Sequence, residues 1–490
     1  MIRFVQIAAC IAAVTLLAPA ASLAQAVSPA PSAAPSAAPA PLAAAVLDPA
    51  VIGAAVRKAM NAAGVPGVAV EVVDHGRTIV HAGYGVQNVA KNDPVDPETR
   101  FEIGSVTKQF TAAAILQLKE RGKLKLSDRL GTYVPEYGAA KDVTIQQMLW
   151  QVSGLPNYTE ISGFATIAKT KPGSLAAIVA LIEKKPLNFT PGTKWEYSNT
   201  NYVMLGRVVE VASRMPWDAY VRKNIFAVAG MARSTFMEEE ARTSDFATGY
   251  SRDKEKKLVA EPSFGHWATS AGAIVSTVGD MAKWDQALFE GKIVSQDDLA
   301  LMTASGTLSN GKPTDYGFGW IVDTHSGQKR VWHNGGTFGF AAANHIYPAL
   351  GERIIVLENT SFAPADAIAD KIFAAMHPDL AAAEMQAVPG EEPAITARAR
   401  EWLRRVQTGD IDRTQLGPQF AAALTPQLVE RVKGNLLPLG EPASFVFRGK
   451  RSVGTATAYD YRVVFATETL VEHIVIDEAG KITGLLFGPG

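Results

Sequence analysis

Cysteine is nearly absent from this 490-residue chain, where Cys10 stands alone. An intramolecular disulfide framework and a Cys-rich metal site are therefore excluded. Neither sign of charge is in excess, since 47 basic residues oppose 48 acidic ones. The basic footprint of a nucleic-acid binder is not expected. After Leu17 no apolar run is long enough to read as a membrane span. Histidine is sparse, and His75, His81, His266, His325, His345, His377 and His473 lack metal-ligand spacing with Asp, Glu or Cys. No glycine-rich phosphate loop of a nucleotide-binding form occurs. No structural or catalytic metal is expected.

What the chain does have is apolar content, 47% against 19% charged residues. That suffices to bury a large core, and the length suits one large domain plus a smaller one. The N-terminus reads as a secretory signal. Arg3 supplies the positive end, Phe4 to Leu17 the apolar run, and Ala24-Gln25-Ala26 the small-x-small cleavage site. Residues 1–26 are the expected signal peptide, with cleavage near Ala26. The cleaved chain would be thiol-free, which suits an oxidising periplasm or secretion. Pro29 to Pro41 is rich in proline and alanine, so 27–45 reads as an extended, solvated linker.

The first domain spans 46–380. A helix starts at Asp48-Pro49, with Asp48 as cap. Strands follow at Val68 to Val73 and Thr78 to Gly85 around the Asp74-His75-Gly76 hairpin. Helices are expected over Glu102 to Leu118, Tyr202 to Ser213 and Thr277 to Leu288. Strands return at Gly317 to Val322, Arg330 to Trp332, Phe338 to Ile346 and Arg353 to Glu358, and a helix from Pro364 closes the domain. The fold class is α/β in the α+β sense: a central, mostly antiparallel sheet flanked by helices. Residues 391–490 run helix-then-sheet and form a small accessory α+β domain with no grouping of reactive side chains.

Three segments carry chemistry. In Gly104-Ser105-Val-Thr-Lys108, Ser and Lys share one helix face. A serine hydroxyl needs a base to become a nucleophile. An apolar helix start can desolvate Lys108 and lower its pKa, so that its amine takes or relays the Ser105 proton. The second segment is Trp195-Glu196-Tyr197-Ser198-Asn199. Cationic Lys108 beside Tyr197 would favour its phenolate, which serves as general base and then general acid. Asn199 would orient Lys108. The third is Trp332-His333-Asn334-Gly335-Gly336. Its glycines let a substrate backbone lie close. Gly336 N–H would pair with Ser105 N–H as an oxyanion hole. His333 would supply a hydrogen bond, or charge when protonated. Each segment alone also reads as ordinary structure: a surface lysine, a buried tyrosine, a glycine-rich hairpin.

Ser-x-x-Lys, Tyr-x-Asn and His-x-Gly, in this order, resemble the serine beta-lactamase and penicillin-binding-protein superfamily. The tyrosine form is similar to class C beta-lactamases, DD-peptidases, D-aminopeptidases and esterases of that fold. The resemblance implies a beta-lactamase/transpeptidase-like fold and two-step acyl transfer without metal or cofactor. It implies Ser105 as nucleophile, Lys108 as its activator and Tyr197 as general acid/base. Asn199, His333, Asn334 and Gly335 would bind and orient substrate. The third motif of such proteins helps receive a substrate carboxylate, yet Asn334 stands where they have threonine. Their Ser-Gly-Leu segment often follows a histidine, where this chain has Gln151 ahead of Ser153-Gly154-Leu155. Gln151 reads as a structural loop departure. The 391–490 module is similar to cystatin-like or NTF2-like folds. The implied partner is a small ester, amide or D-amino-acid peptide, with cell-wall association. A beta-lactamase or DD-carboxypeptidase, and a non-catalytic cell-envelope binding protein, are the alternatives.

Overall fold

The computed structural model describes residues 45, 47–171, 173–237, 245–263, 265–466 and 469–489. The expected signal peptide, and all but the last residue of the expected linker, lie outside them. No described helix is long and apolar enough to cross a membrane. Two compact units are present, Val46–Leu380 and Ala381–Gly490.

In the first unit, Pro49 opens helix α1 (Pro49–Ala63), and Asp48 caps it by accepting from Ala50 N–H at 2.8 Å. Strands β1 (Gly67–Asp74) and β2 (Arg77–Asn88) form a hairpin. Its turn residues His75 and Gly76 both have positive φ, 46° and 79°, the twist that a two-residue hairpin requires. The short β3 (Asp93–Pro94) edges β2. The other strands come from the end of the unit: β4 (Ile321–His325), β5 (Gln328–Gly336), β6 (Ala341–Tyr347) and β7 (Glu352–Glu358). The sheet order is β3-β2-β1-β7-β6-β5-β4, and every neighbouring pair is antiparallel.

Both faces of this sheet are covered, so its central strands read as nearly continuous apolar runs. Val68, Val70 and Val72 of β1 pack with Ile52 and Val56 of α1 and with Ile368 and Ile372 of the closing helix. The alternate residues of β5 to β7, including Val331, Ala342, Ile346, Ile355 and Leu357, join the larger core under the helical middle. Side chains alternate between the faces along each strand. Position within the strand therefore decides which core a β5 residue enters.

The helix expected from Glu102 begins later. Phe101 and Glu102 pair with Ser276 and Val275, and Ile103 N–H donates to Ile274 O. This tertiary pairing holds the segment extended. A 3-10 turn, Gly104–Val106, then leads into helix α2 (Thr107–Glu120).

In the second unit a four-stranded antiparallel sheet, Ser444–Val453, Ala456–Val464, Thr469–Ile476 and Ile482–Pro489, packs against helix Pro393–Thr408. Trp402, Leu403, Tyr461 and Ile474 lie in its core.

Candidate active site

Ser105 sits in the 3-10 turn that precedes α2, and Lys108 lies one turn further on. Gly104 has φ 51°, a backbone setting that favours glycine. A Cβ there would come within 2.6 Å of Gly336 N, and one on Gly335 within 1.9 Å of Ile103 O and 3.1 Å of Ser105 N. Glycine at both positions thus lets the end of β5 press its backbone onto the serine turn. The backbone nitrogens of Ser105 and Gly336, expected as oxyanion donors, both border this close approach.

Lys108 is wholly buried. Its Nζ lies 2.8 Å from Ser105 Oγ, from Asn199 Oδ1 and from Ala271 O. The rings of Tyr197 and Tyr202 stand 4.9 and 5.7 Å from the same nitrogen. Burial holds the amine well below the ordinary lysine range. Asn199 opens the helix Asn199–Ser213. Its Nδ2 donates to Thr159 Oγ1 at 3.2 Å, which turns its oxygen toward Lys108.

The Tyr197 hydroxyl donates to Ser105 Oγ at 2.8 Å. Its acidity departs from the sequence expectation. Burial pushes the phenol above its usual range, and the Ser105 bond only partly opposes this. The resting side chain is a phenol, because burial disfavours the charged phenolate.

His333 and Asn334 part company across the sheet. His333 pairs with Asn344 and Gly335 with Ala342, on the face that carries the larger core and Ser105. Asn334 pairs with Ala343, which belongs to the other core. Its Nδ2 donates to Asp366 Oδ2 at 3.0 Å, in the helix Ala365–Met376. The expected substrate-binding role of the Asn334 side chain does not fit this direction, and strand alternation is the cause.

His333 is buried, with Nδ1 2.5 Å from Asn334 O and Nε2 3.0 Å from Tyr316 OH. A carbonyl can only accept, so Nδ1 carries the proton and Nε2 accepts from the tyrosine. Burial, followed by the charge on Lys108, lowers the imidazole to about 3. It is neutral, which removes the charged role left open by the sequence. Tyr316 and Trp195 continue the wall beyond Tyr197, with ring centroids 6.0 Å apart.

Two residues outside the sequence-read set join the site. Tyr316 stands in the segment Tyr316-Gly-Phe-Gly-Trp320, which supports the family resemblance without giving the tyrosine a role. Gln151 is fully buried behind Tyr197. Its exchange for the histidine common at this position was the visible sign.

Residues 52–377 match the family model described as Beta-lactamase. Protein flp of Staphylococcus aureus (strain MW2) is 28% identical over 302 residues, 60% of this chain and 60% of that one. The chain thus spans less than two thirds of the length of the first curated relatives it matches. An octameric penicillin-binding protein homologue from Pyrococcus abyssi shares the fold with a TM-score of 0.62 and 24% identity, over 87% of this chain and 96% of that chain. A D-stereospecific amidohydrolase from Streptomyces sp. shares it with a TM-score of 0.56 and 24% identity, over 66% and 98%.

Proposed function

Since the chain belongs to the Beta-lactamase family, we propose that it is an exported serine hydrolase that cleaves an ester or amide through an acyl-enzyme on Ser105. The observation that carries this reading is the pair of contacts at Ser105 Oγ, with Lys108 Nζ and the Tyr197 hydroxyl each at 2.8 Å.

A neutral amine has two N–H bonds and one lone pair. Asn199 Oδ1 and Ala271 O can only accept, so they take both N–H bonds of Lys108. The lone pair is then left for the Ser105 hydroxyl. Ser105 Oγ attacks the substrate carbonyl carbon, and its proton passes to Lys108. The N–H groups of Ser105 and Gly336 receive the oxyanion. Tyr197 donates its proton to the departing alkoxide or amine as the C–O or C–N bond breaks. Lys108 returns the Ser105 proton to the Tyr197 phenolate. Water then attacks the ester and gives a proton to the neutral amine, which passes it to Ser105 Oγ as the serine C–O bond breaks and the acid leaves.

The substrate class follows from the third motif. His333 is a neutral imidazole committed to Tyr316 and Asn334 O, and the Asn334 amide is committed to Asp366. These groups offer no cation to a carboxylate. Neutral esters and amides, D-amino-acid amides included, are favoured over beta-lactams and D-alanyl-D-alanine ends. The name of the Streptomyces relative agrees with the D-amide part of this reading. Residues 46–380 form the hydrolase domain and 391–490 an accessory module. The protein acts in the periplasm or outside the cell, in contact with the cell wall.

The test is turnover of a matched pair, a D-phenylalanyl-D-alanine peptide with a free C-terminal carboxylate and the same peptide as its C-terminal amide. Hydrolysis of the amide form with the lower KM supports the reading. A clear preference for the carboxylate would reject the substrate class, and turnover that survives Ser105→Ala would reject the chemistry.

A further inference from the structure

Helix Ile145–Leu149 ends at Trp150, and Gln151 follows with φ 61°. A helix commonly ends on a left-handed residue, and glycine is the usual choice. Glutamine there is strained, and such strain persists only where the surroundings over-determine it. Here they do. Gln151 N–H donates to Met148 O at 3.1 Å, and Val152 N–H to Gln147 O at 2.9 Å. The side chain is wholly buried.

Its acceptors go to one place. Gln151 O accepts from Glu196 N–H at 3.0 Å. Gln151 Oε1 accepts from Ser198 N–H at 3.0 Å and from Asn201 Nδ2 at 2.6 Å. Ser153 Oγ donates to Asn201 Oδ1 at 2.5 Å, which fixes the Asn201 amide with its nitrogen toward Gln151. Glu196 and Ser198 flank Tyr197. The backbone on both sides of that tyrosine is therefore held by one residue. Tyr197 itself lies outside any helix or strand, since the next helix starts at Asn199. Without the clamp, nothing in its own secondary structure fixes where its hydroxyl points.

We propose that Gln151 is a positioning residue for the reaction: it clamps the peptide units on either side of Tyr197 and so sets the Tyr197 hydroxyl at hydrogen-bond distance from Ser105 Oγ. The inference rests on the acyl-transfer reading above. The side chain, and not merely a left-handed residue, is what this position needs.

Gln151→Gly separates those two roles, because glycine suits the backbone and lacks the acceptor. The rate of Ser105 phosphonylation by a fluorophosphonate and the kcat and KM for a neutral ester are measured on wild type, Gln151→Gly, Gln151→Glu and Tyr197→Phe. Circular dichroism reports folding. Misplacing a reacting group by about 1 Å costs about 100-fold, so Gln151→Gly is expected to lose roughly 10- to 100-fold in kcat with KM within about twofold. Gln151→Glu keeps a side-chain carbonyl acceptor and is expected to recover most of the loss. If Gln151→Gly does not fold, the same measurement is made on Gln151→Met, which keeps the bulk without the acceptor. Wild-type kcat in the folded acceptor-free variant overturns the proposal, as does a Gln151→Glu as slow as that variant. Wild type that fails to label at Ser105 overturns the acyl-transfer reading instead.

Discussion

Asn334 Nδ2 donates to Asp366 Oδ2 at 3.0 Å on the sheet face turned away from Ser105. The neighbouring His333 faces the other way and meets Tyr316. Two adjacent residues of one motif thus serve two cores. The first anchors β5 to the closing helix, and the second lines the site. Burial holds the Asp366 carboxyl above its usual range, and the Asn334 bond opposes that. Asn334→Ala leaves Asp366 without this donor. A buried group left unpaired costs about 1–3 kcal/mol. Asn334→Ala is expected to lower the denaturant midpoint while leaving KM for a neutral ester within about threefold, a modest change on the scale of lost substrate contacts. A large rise in KM with unchanged stability would return Asn334 to the substrate site.

On the proposed mechanism, Lys108 is expected to give the pH profile its acid limb. Only the neutral amine accepts the Ser105 proton, and burial lowers its pKa. The expected kcat/KM rises with pH and levels off below the ordinary lysine range. His333, at about 3, does not titrate over this range. His333→Gln is therefore expected to leave the limb where it is, and Lys108→Met to lower kcat/KM by about 10²- to 10⁴-fold. A limb that disappears in His333→Gln would assign the titration to the imidazole.

Gly335 is needed for its missing side chain. A Cβ would lie 1.9 Å from Ile103 O. Gly335→Ala must push β5 off the serine turn and with it the Gly336 N–H. Loss of one oxyanion donor costs about 10²- to 10³-fold in kcat. That loss is expected here, together with a lower melting temperature. An alanine variant with unchanged kcat would mean that this strand does not shape the oxyanion site.

Asp285 predicts a pH dependence of stability. It is buried, bonded by Asn344 Nδ2 at 2.8 Å, and burial pushes it up to about 7. An unfolded aspartate has a pKa of about 3.9. Between these values the folded chain holds a proton that the unfolded chain has lost, so this group's contribution to stability falls as pH rises toward and through 7. Asp285→Asn keeps an acceptor for Asn344 and does not ionise. Its urea midpoint is expected to vary less between pH 5 and pH 8 than that of wild type. An unchanged slope would assign the dependence elsewhere.

Much of this site was legible because its chemistry is written in short spacings. Ser105 and Lys108 stand one helical turn apart, and the Gly335-Gly336 pair marks a close backbone approach. The antiparallel sheet was legible from the apolar strands at both ends of the unit. What the sequence concealed is tertiary. Glu102 reads as the start of a helix, but pairing with Val275, beside Phe101 with Ser276, makes it part of a strand. Asn334 reads as part of a site until strand register turns it away. The acidity of Tyr197 depends on how fully the fold buries it, which no local pattern reveals. Gln151 looks like a loop residue because its partners, Glu196, Ser198 and Asn201, lie far along the chain.

The central claim is that Ser105 forms a covalent acyl-enzyme, and intact mass tests it most directly. Wild type and Ser105→Ala are exposed separately to a fluorophosphonate, a p-nitrophenyl ester and a penicillin, and each mass is read beside a circular-dichroism spectrum. The account predicts one adduct on wild type, from the fluorophosphonate and the neutral ester more readily than from the penicillin, and none on folded Ser105→Ala. An equal adduct on Ser105→Ala, or no adduct on folded wild type with any reagent, would contradict it.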